Sequence, residues 1–507
     1  MFRIRKAVYC ICLFIIFTIT ACTSKSHATD NFKVNILLEG GSGKASLTSP
    51  TDMFIKDGIS YVKLEWSSCN YDYMIVDGKK YEPINTEGNS VFEIPVKDLD
   101  TSIDVIADTT AMSTSHEIEY KITVSKIKEQ SNSEEGKKKS HKQEQLNKEF
   151  NIPDKLGDNL IWKKKLDISY AKGFSVDYYE NEKNKAVYKL LTIYDDAQYL
   201  IIPHNQELAK GVSKDIVIIN DTSKIYLTAS QVMDMFDQLG EVDRIKFCAL
   251  EEKDWYIDSA KERLNSGKMV YAGKYSSPDY EMIISRGCGL VIENTMIYHT
   301  PQVKEKLESF GIPVMVDRSS YENEPLGRVE WVKIYGAISN CENKAQEVFD
   351  KVVREFEEIE SLSEQTNKPV VAFFYISSNG SIKVRKSDDY LPKMIELAGG
   401  KYVYDNIGSS ENGKSSTINM QMEEFYATAK DADYIIYNST VDGELTSVSE
   451  LIKKNELLAN FKAVKNKRVY CTSADLYQSS MKLGTITRDI NSMIMNSDQM
   501  TYLYHLK

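Results

Sequence analysis

The 507-residue chain has no CxxC pair, no HExxH, no GxSxG and only six histidines. Those absences remove the thiol-redox and zinc frameworks, the zincin metalloproteases and the nucleophile elbow of α/β-hydrolases. "GGSGKAS", residues 40–46, imitates a phosphate-binding loop. It lacks the four residues such a loop needs between its outer glycine and "GK", and no strand–helix frame surrounds it. The acid pairs Asp388–Asp389 and Glu423–Glu424 are adjacent, and adjacent helical residues point in different directions, so neither forms a general acid–base dyad by spacing. No enzyme chemistry is expected. A basic excess is missing too: the net charge of −11 argues against a nucleic-acid partner. Eleven prolines and 25 glycines are too few for a low-complexity or collagenous chain. After the first 22 residues, no apolar run is long enough to cross a bilayer.

The amino terminus reads as an export address. Arg3, Arg5 and Lys6 precede a short apolar stretch, Ala7 to Ile19, which ends in "ITAC". That ending resembles the bacterial lipobox and makes 1–22 a signal peptide with lipobox, which implies cleavage before Cys22, lipidation of Cys22, and anchoring to the outer face of the cell membrane. Cys10 and Cys12 leave with the signal. Cys69, Cys248, Cys288, Cys341 and Cys471 remain, an odd number best suited to small buried apolar positions.

Residues 127–151 are charged, carry almost no large apolar side chain and read as a solvated linker. Before it, residues 31–126 hold short alternating runs ("YVKLEW", "YDYMIV", "SVFEIPV", "SIDVIA", "EIEYKITV") broken by turn chemistry, which predicts a small all-β, immunoglobulin-like sandwich. After it, apolar strands ("DIVIIN", "KIYLTA", "RIKFCAL", "MVYAG", "GLVIEN", "IPVMVD") alternate with helical stretches, the rhythm of a parallel α/β sheet. Residues 330–365 repeat apolar positions at helical spacing (Ala345, Val348, Phe349, Val352, Val353, Phe356, Ile359) and read as one helix of about 50 Å. The α/β rhythm then restarts. The expected layout is a first lobe at 152–329, a spanning helix at 330–365 and a second lobe at 366–507.

The phrases "LTASQVMDMFDQLGEVDRI", "YSSPDYEMIISRGCGLVI", "KEKLESFGIPVMV" and "LPKMIELAGGKYVYDNIG" occur in an order that resembles the substrate-binding proteins of iron-chelate and cobalamin ABC importers. The resemblance covers about 152–500. It implies two α/β lobes on one long helix, a ligand cleft between them, and a glutamate on each lobe that meets arginines of the permease, which works with its ATPase. Glu281 and Glu423, or its neighbour Glu424, take those positions. A carboxylate near a helix N-terminus is stabilised by the helix dipole, and an arginine fork binds it bidentately. The implied cargo is an iron chelate (a siderophore) or haem, with cobalamin as the alternative, and no intrinsic cofactor or certain metal site is expected. A surface adhesion protein or extracellular enzyme is the reading from another class.

Loops at the carboxyl ends of strands line such a cleft. They supply Tyr226, Thr228, Ser230, Lys274, Tyr275, Met296, Tyr298, His299, Arg318 and Tyr321 from the first lobe. The second adds Tyr375, Asn379, Arg385 and Tyr390. Tyrosine faces stack on a flat ligand while guanidinium neutralises its oxygens. Met296 and His299 are the candidates for direct haem ligation. The small β module resembles haem-binding NEAT-type sandwiches through "HEIEY". His116 stands where their first tyrosine would be, and Tyr120 follows four residues on, on the same strand face. That resemblance implies a possible haem contact; a spacer sandwich is the other reading.

Overall fold

The computed structural model describes residues 32–40, 47–56, 59–68, 70–85, 89–99, 101–109, 116–126, 150, 152–362, 368–378, 380–408, 416–441, 443–497 and 499–507. The export segment, Cys22, Cys69, Asn379 and residues 127–149 lie outside them. The chain divides into two compact units at Glu135/Gly136.

The first unit is all-β, as its alternating pattern predicts. Its eight strands form one antiparallel sheet rather than two independent ones. The order is Lys79–Tyr81, Tyr71–Val76, Ser102–Thr109, His116–Lys126, Phe32–Gly40, Thr51–Lys56, Ile59–Glu65 and Val91–Pro95. Alternate residues of nearly every strand (Val34, Val62, Leu64, Phe92, Val105, Ile122, Val124) meet in one core. The sheet therefore curls so that a single face is buried. Trp66 stacks on Tyr71 at 4.1 Å across the bend.

The second unit opens with a six-stranded sheet of residues 155–219. It is an antiparallel meander whose last strand, Ile216–Ile219, pairs parallel with Gln198–Ile201. "DIVIIN" is thus the edge of this meander and not the first strand of the parallel sheet. A four-residue apolar run carries no mark of which neighbour it pairs with. A five-stranded parallel sheet follows, ordered Val270–Tyr271, Ile245–Cys248, Ile225–Leu227, Leu290–Glu293 and Val314–Val316. The second lobe is built on Val370–Ile376. Parallel strands Tyr434–Tyr437 and Val469–Thr472 run on one side of it, and the antiparallel pair Ile382–Arg385 and Thr417–Met420 on the other.

The two lobe sheets stay separate, and a helical connector runs between them. It is not the unbroken rod expected over 330–365. It comprises Pro325–Glu330, Val332–Ser339 and Glu342–Leu362. The break falls at Asn340, which adopts a left-handed backbone (φ 59°) and closes the second helix as a C-cap. Buried Lys189 fixes the break by donating to the Ala337 carbonyl (2.7 Å) and the Asn340 side chain (2.8 Å) while pairing with Glu342 at 2.6 Å. The long helix keeps 21 residues, about 30 Å, with Ala345, Phe349, Val352, Phe356 and Ile359 on its buried face. One apolar core runs from Phe174 through the connector to Ile494, so both lobes grip the same helices.

Candidate functional site

A cavity of about 340 Å³ lies between the two lobes. Its first-lobe wall comes from segments that follow parallel strands. Ser230 and Gln231 open the helix Ser230–Leu239, and Asn294–Met296 follow Leu290–Glu293. Ser319 and Ser320 follow Val314–Val316. Asn294 shapes its turn by accepting from the Met296 N–H (2.8 Å) and donating to the Thr228 carbonyl (3.2 Å). The second-lobe wall is Arg385, Tyr390, Ser416, Leu476, Tyr477, Ser480 and Leu483, and the connector adds Arg328.

Two guanidinium groups dominate the electrostatics. Arg328 lies over the ring of Tyr390, 3.7 Å from its centroid, and Arg385 lies 5.8 Å from the same ring. One carboxylate sits near both: Asp389 Oδ2 is 3.8 Å from Arg328 and 3.6 Å from Arg385. Asp389 is held there because it N-caps the helix Tyr390–Leu397, accepting from the Leu391 N–H at 3.1 Å. Arg328 is oriented by donating to the carbonyls of Glu322 (2.9 Å) and Ser320 (2.6 Å). Arg385 donates to Ser416 Oγ (3.0 Å) and to the Tyr477 hydroxyl (2.6 Å). Burial works against both charges. At Arg385, Tyr477, Asp389 and Tyr390 outweigh it; at Arg328 burial prevails and lowers the pKa, yet a guanidinium still does not deprotonate at neutral pH. Burial pushes the Tyr390 phenol up to about 12, with both arginines opposing. Two cations beside one anion leave the cavity wall with one unmatched positive charge.

Of the residues expected in the cleft, Ser230, Met296, Arg385 and Tyr390 line the cavity. Tyr375 lies behind the wall, half-buried and within electrostatic reach of Tyr477 and Arg385. The other described candidates do not line it. Tyr226 points into the outer core of the first lobe and donates to the Gly273 carbonyl at 2.8 Å, because its place in the strand sends it to that face. Arg318 is buried and serves the fold, donating to the Asp195 carbonyl (2.8 Å) and lying 5.1 Å from the Tyr321 ring. Tyr298 packs beside that outer core, Tyr275 is part-buried in a hairpin turn, and His299 is exposed at the end of the turn Thr295–His299.

Arg328, Tyr477, Asp389 and Gln231 are cavity residues or their supports that strand-end reasoning did not find. Arg328 sits inside a proline-started helix and not after a strand. Tyr477 was within reach of the rule, since "SADLYQSS" follows the strand Val469–Thr472.

Glu281 is exposed in the first turn of Tyr280–Ser285, a helix capped by Asp279, which accepts from the Met282 N–H at 3.0 Å. Glu423 and Glu424 are both exposed in the first turn of Met422–Ala429. In the first unit, Tyr120 is 3% exposed, and its hydroxyl meets that of Tyr71 at 3.1 Å inside the core. It is a core residue there, because its strand turns that face inward, and it is not presented as a surface haem ligand. His116 belongs to the same strand, opposite Thr109. Cys248, Cys288 and Cys471 are buried free thiols, and Cys341 is half-buried. Among the described residues, no helix is long and apolar enough to cross a membrane, and no three His, Cys, Asp or Glu side chains are placed to share a metal ion.

Residues 225–476 match the periplasmic binding protein family. The uncharacterized lipoprotein MJ0878 of Methanocaldococcus jannaschii is 25% identical over 350 residues, which are 64% of this chain and 81% of that protein. The uncharacterized lipoprotein MJ0872 of the same organism is 31% identical over 222 residues, 43% of this chain and 55% of the relative. Among solved structures, the periplasmic haem-binding protein HutB of Vibrio cholerae is similar at 16% identity and a TM-score of 0.45. That alignment covers 54% of this chain and 99% of the other. A Fe3+-hydroxamate transport protein of Saccharomonospora viridis is similar at 17% identity and a TM-score of 0.42, covering 54% and 94%.

Proposed function

We propose, from the match of residues 225–476 to the periplasmic binding protein family, that this chain is an extracytoplasmic substrate-binding protein. It is tethered to the membrane through a lipid on Cys22 and carries an iron complex to an ABC importer. The observation that carries the cargo is the pair Arg328 and Arg385 on one tyrosine, with a single carboxylate between them. A site with an unmatched guanidinium takes an anion, and planar nitrogen forks suit carboxylate, hydroxamate or catecholate oxygens. Serine hydroxyls on both walls add donors for an oxygen-rich ligand. The volume is at the lower end of the about 300–1,000 Å³ typical of small-molecule pockets. That favours a compact ferric chelate over a tetrapyrrole, and Met296 is the one expected haem-ligand candidate on the wall.

Delivery runs through Glu281 on the first lobe and Glu423 or Glu424 on the second, each an exposed carboxylate in a first helical turn. Two separated ion pairs fix orientation as well as affinity.

The test is a thermal-shift series on the protein without its signal and lipid cysteine, using ferric citrate, a ferric hydroxamate, haemin and cobalamin. A ferric chelate at about 100 times its Kd raises stability by about 2.7 kcal/mol. The Arg385→Ala and Arg328→Ala variants lose that gain. Stabilisation by cobalamin alone, or by none of the four, overturns the cargo assignment.

A further inference from the structure

The cavity wall of the second lobe includes a nine-residue stretch, Asp475–Leu483, that also reaches across the cleft. Tyr477 faces the cavity, and its hydroxyl accepts from Arg385 (2.6 Å) and from Asn438 Nδ2 (2.7 Å). The next residue turns to the first lobe. Gln478, 8% exposed, accepts from the Tyr256 N–H at 2.9 Å and donates to the Asp254 carbonyl at 2.8 Å. Ser480 Oγ donates to the Gln231 carbonyl at 2.6 Å, and the Met481 N–H donates to Asp234 Oδ2 at 2.7 Å. Four hydrogen bonds from one short stretch thus tie the lobes together at two first-lobe elements. The stretch is stiff within itself. The Asp475 carbonyl accepts from the Gln478 and Ser479 N–H groups (2.8 and 3.1 Å), and its carboxylate accepts from Ser473 and Ser479 hydroxyls (2.5 and 3.2 Å).

We propose that Asp475–Leu483 is a strap that closes the cleft and opens as one unit, with Gln478 the positioning residue that holds Tyr477 in the cavity wall. Gln478 alone in the strap uses both ends of its side chain on the first lobe, gripping one backbone donor and one backbone acceptor two residues apart. Buried polar groups released from such partners carry a desolvation penalty, so loosening one end weakens the rest. Because Tyr477 and Gln478 are adjacent, whatever binds against Tyr477 is linked to the interlobe bonds, and the linkage is reciprocal. The strap rests on the binding-cleft reading for its purpose only.

Hydrogen exchange on the full chain, with no ligand added, tests this. The amides of Tyr256 and Met481 are each held by a side chain across the cleft, one by Gln478 and one by Asp234. In Gln478→Ala, a strap that opens as a unit makes both amides exchange about tenfold faster or more, while amides of the strand Tyr434–Tyr437 keep their parent rates. Gln478→Glu retains the acceptor and loses the donor, so in a strap that opens as a unit both amides exchange faster together, each between its parent rate and its rate in Gln478→Ala. Acceleration at Tyr256 with Met481 unchanged overturns the proposal, since the bonds then act singly. If Gln478→Ala does not fold, Ser480→Ala is read at the same two amides with the same criterion. No cargo is present in any arm, so a wrong iron assignment leaves the result untouched.

Discussion

Glu293 ends a strand just before the cavity turn, yet it faces the outer core of the first lobe. It is fully buried, accepts from the Thr228 hydroxyl, and has one carboxylate oxygen without a hydrogen-bond partner. Burial pushes its carboxyl up to about 8. A carboxyl whose folded pKa is raised stabilises the fold fully below its ordinary value of 4.5, and that stability is lost as the pH climbs through about 8. The fall in thermal midpoint between pH 5 and pH 9 should therefore be markedly smaller in Glu293→Gln than in the parent, as differential scanning calorimetry at both values reads directly. A second residue-level expectation concerns Arg385. Lysine keeps the charge but cannot reach Ser416 and Tyr477 together. Arg385→Lys should weaken binding of a stabilising ferric chelate by about tenfold by calorimetric titration, with the apo midpoint little changed. These two residues also show how far a sequence can be read. Arg385 and Tyr390 were recognisable because they follow a strand in a stretch rich in polar residues. Arg318 looked equivalent, but its partner Asp195 lies 123 positions away and draws it into the fold. Nothing local in "VDRSSYE" distinguishes a guanidinium that serves the structure from one that faces a cavity.

At the scale of elements, two buried carboxylates, Glu330 in the connector and Glu322 just before it, hold the loop 169–173 of the meander. Glu330 accepts from the N–H groups of Ser169 (2.9 Å), Tyr170 (2.6 Å) and Ala171 (2.7 Å), and pairs with Lys333 at 2.8 Å. Glu322 accepts from the N–H groups of Lys172 (2.9 Å) and Gly173 (2.8 Å), and from the Trp331 indole at 3.1 Å. Five consecutive backbone donors of one loop are thereby fastened to the connector and to the segment just before it. Glu330→Ala strands a buried lysine and three amides, and should lower stability by about 3–5 kcal/mol in urea unfolding. Gly336 is a second constraint: a Cβ there would collide with Ala345 Cβ on the long helix. Gly336→Ala should destabilise by about 1–3 kcal/mol, read in the same way, through overpacking of that helix pair. The helical period was plain in the sequence, but the interruption at Asn340 was not. Apolar spacing continues on both sides of it, and the lysine that enforces the turn comes from the meander, 151 residues earlier.

At the scale of the molecule, the first unit's core contains only residues from Val34 to Val124, and the other cores begin at Leu156. Separate cores unfold separately, so calorimetry of the full chain should show two endotherms, the smaller lost when residues 1–135 are removed. The two-lobe α/β plan was legible, because strand–helix rhythm is a long-range average. Which strands share a sheet was not, since pairing is decided by partners far along the chain. Arg328 brings these scales together: it belongs to the first helix of the connector and also forms part of the cavity wall. Its guanidinium donates to first-lobe carbonyls at Glu322 and Ser320 and lies over the ring of Tyr390 in the second lobe, so a negative charge seated on it touches both halves of the molecule through one side chain.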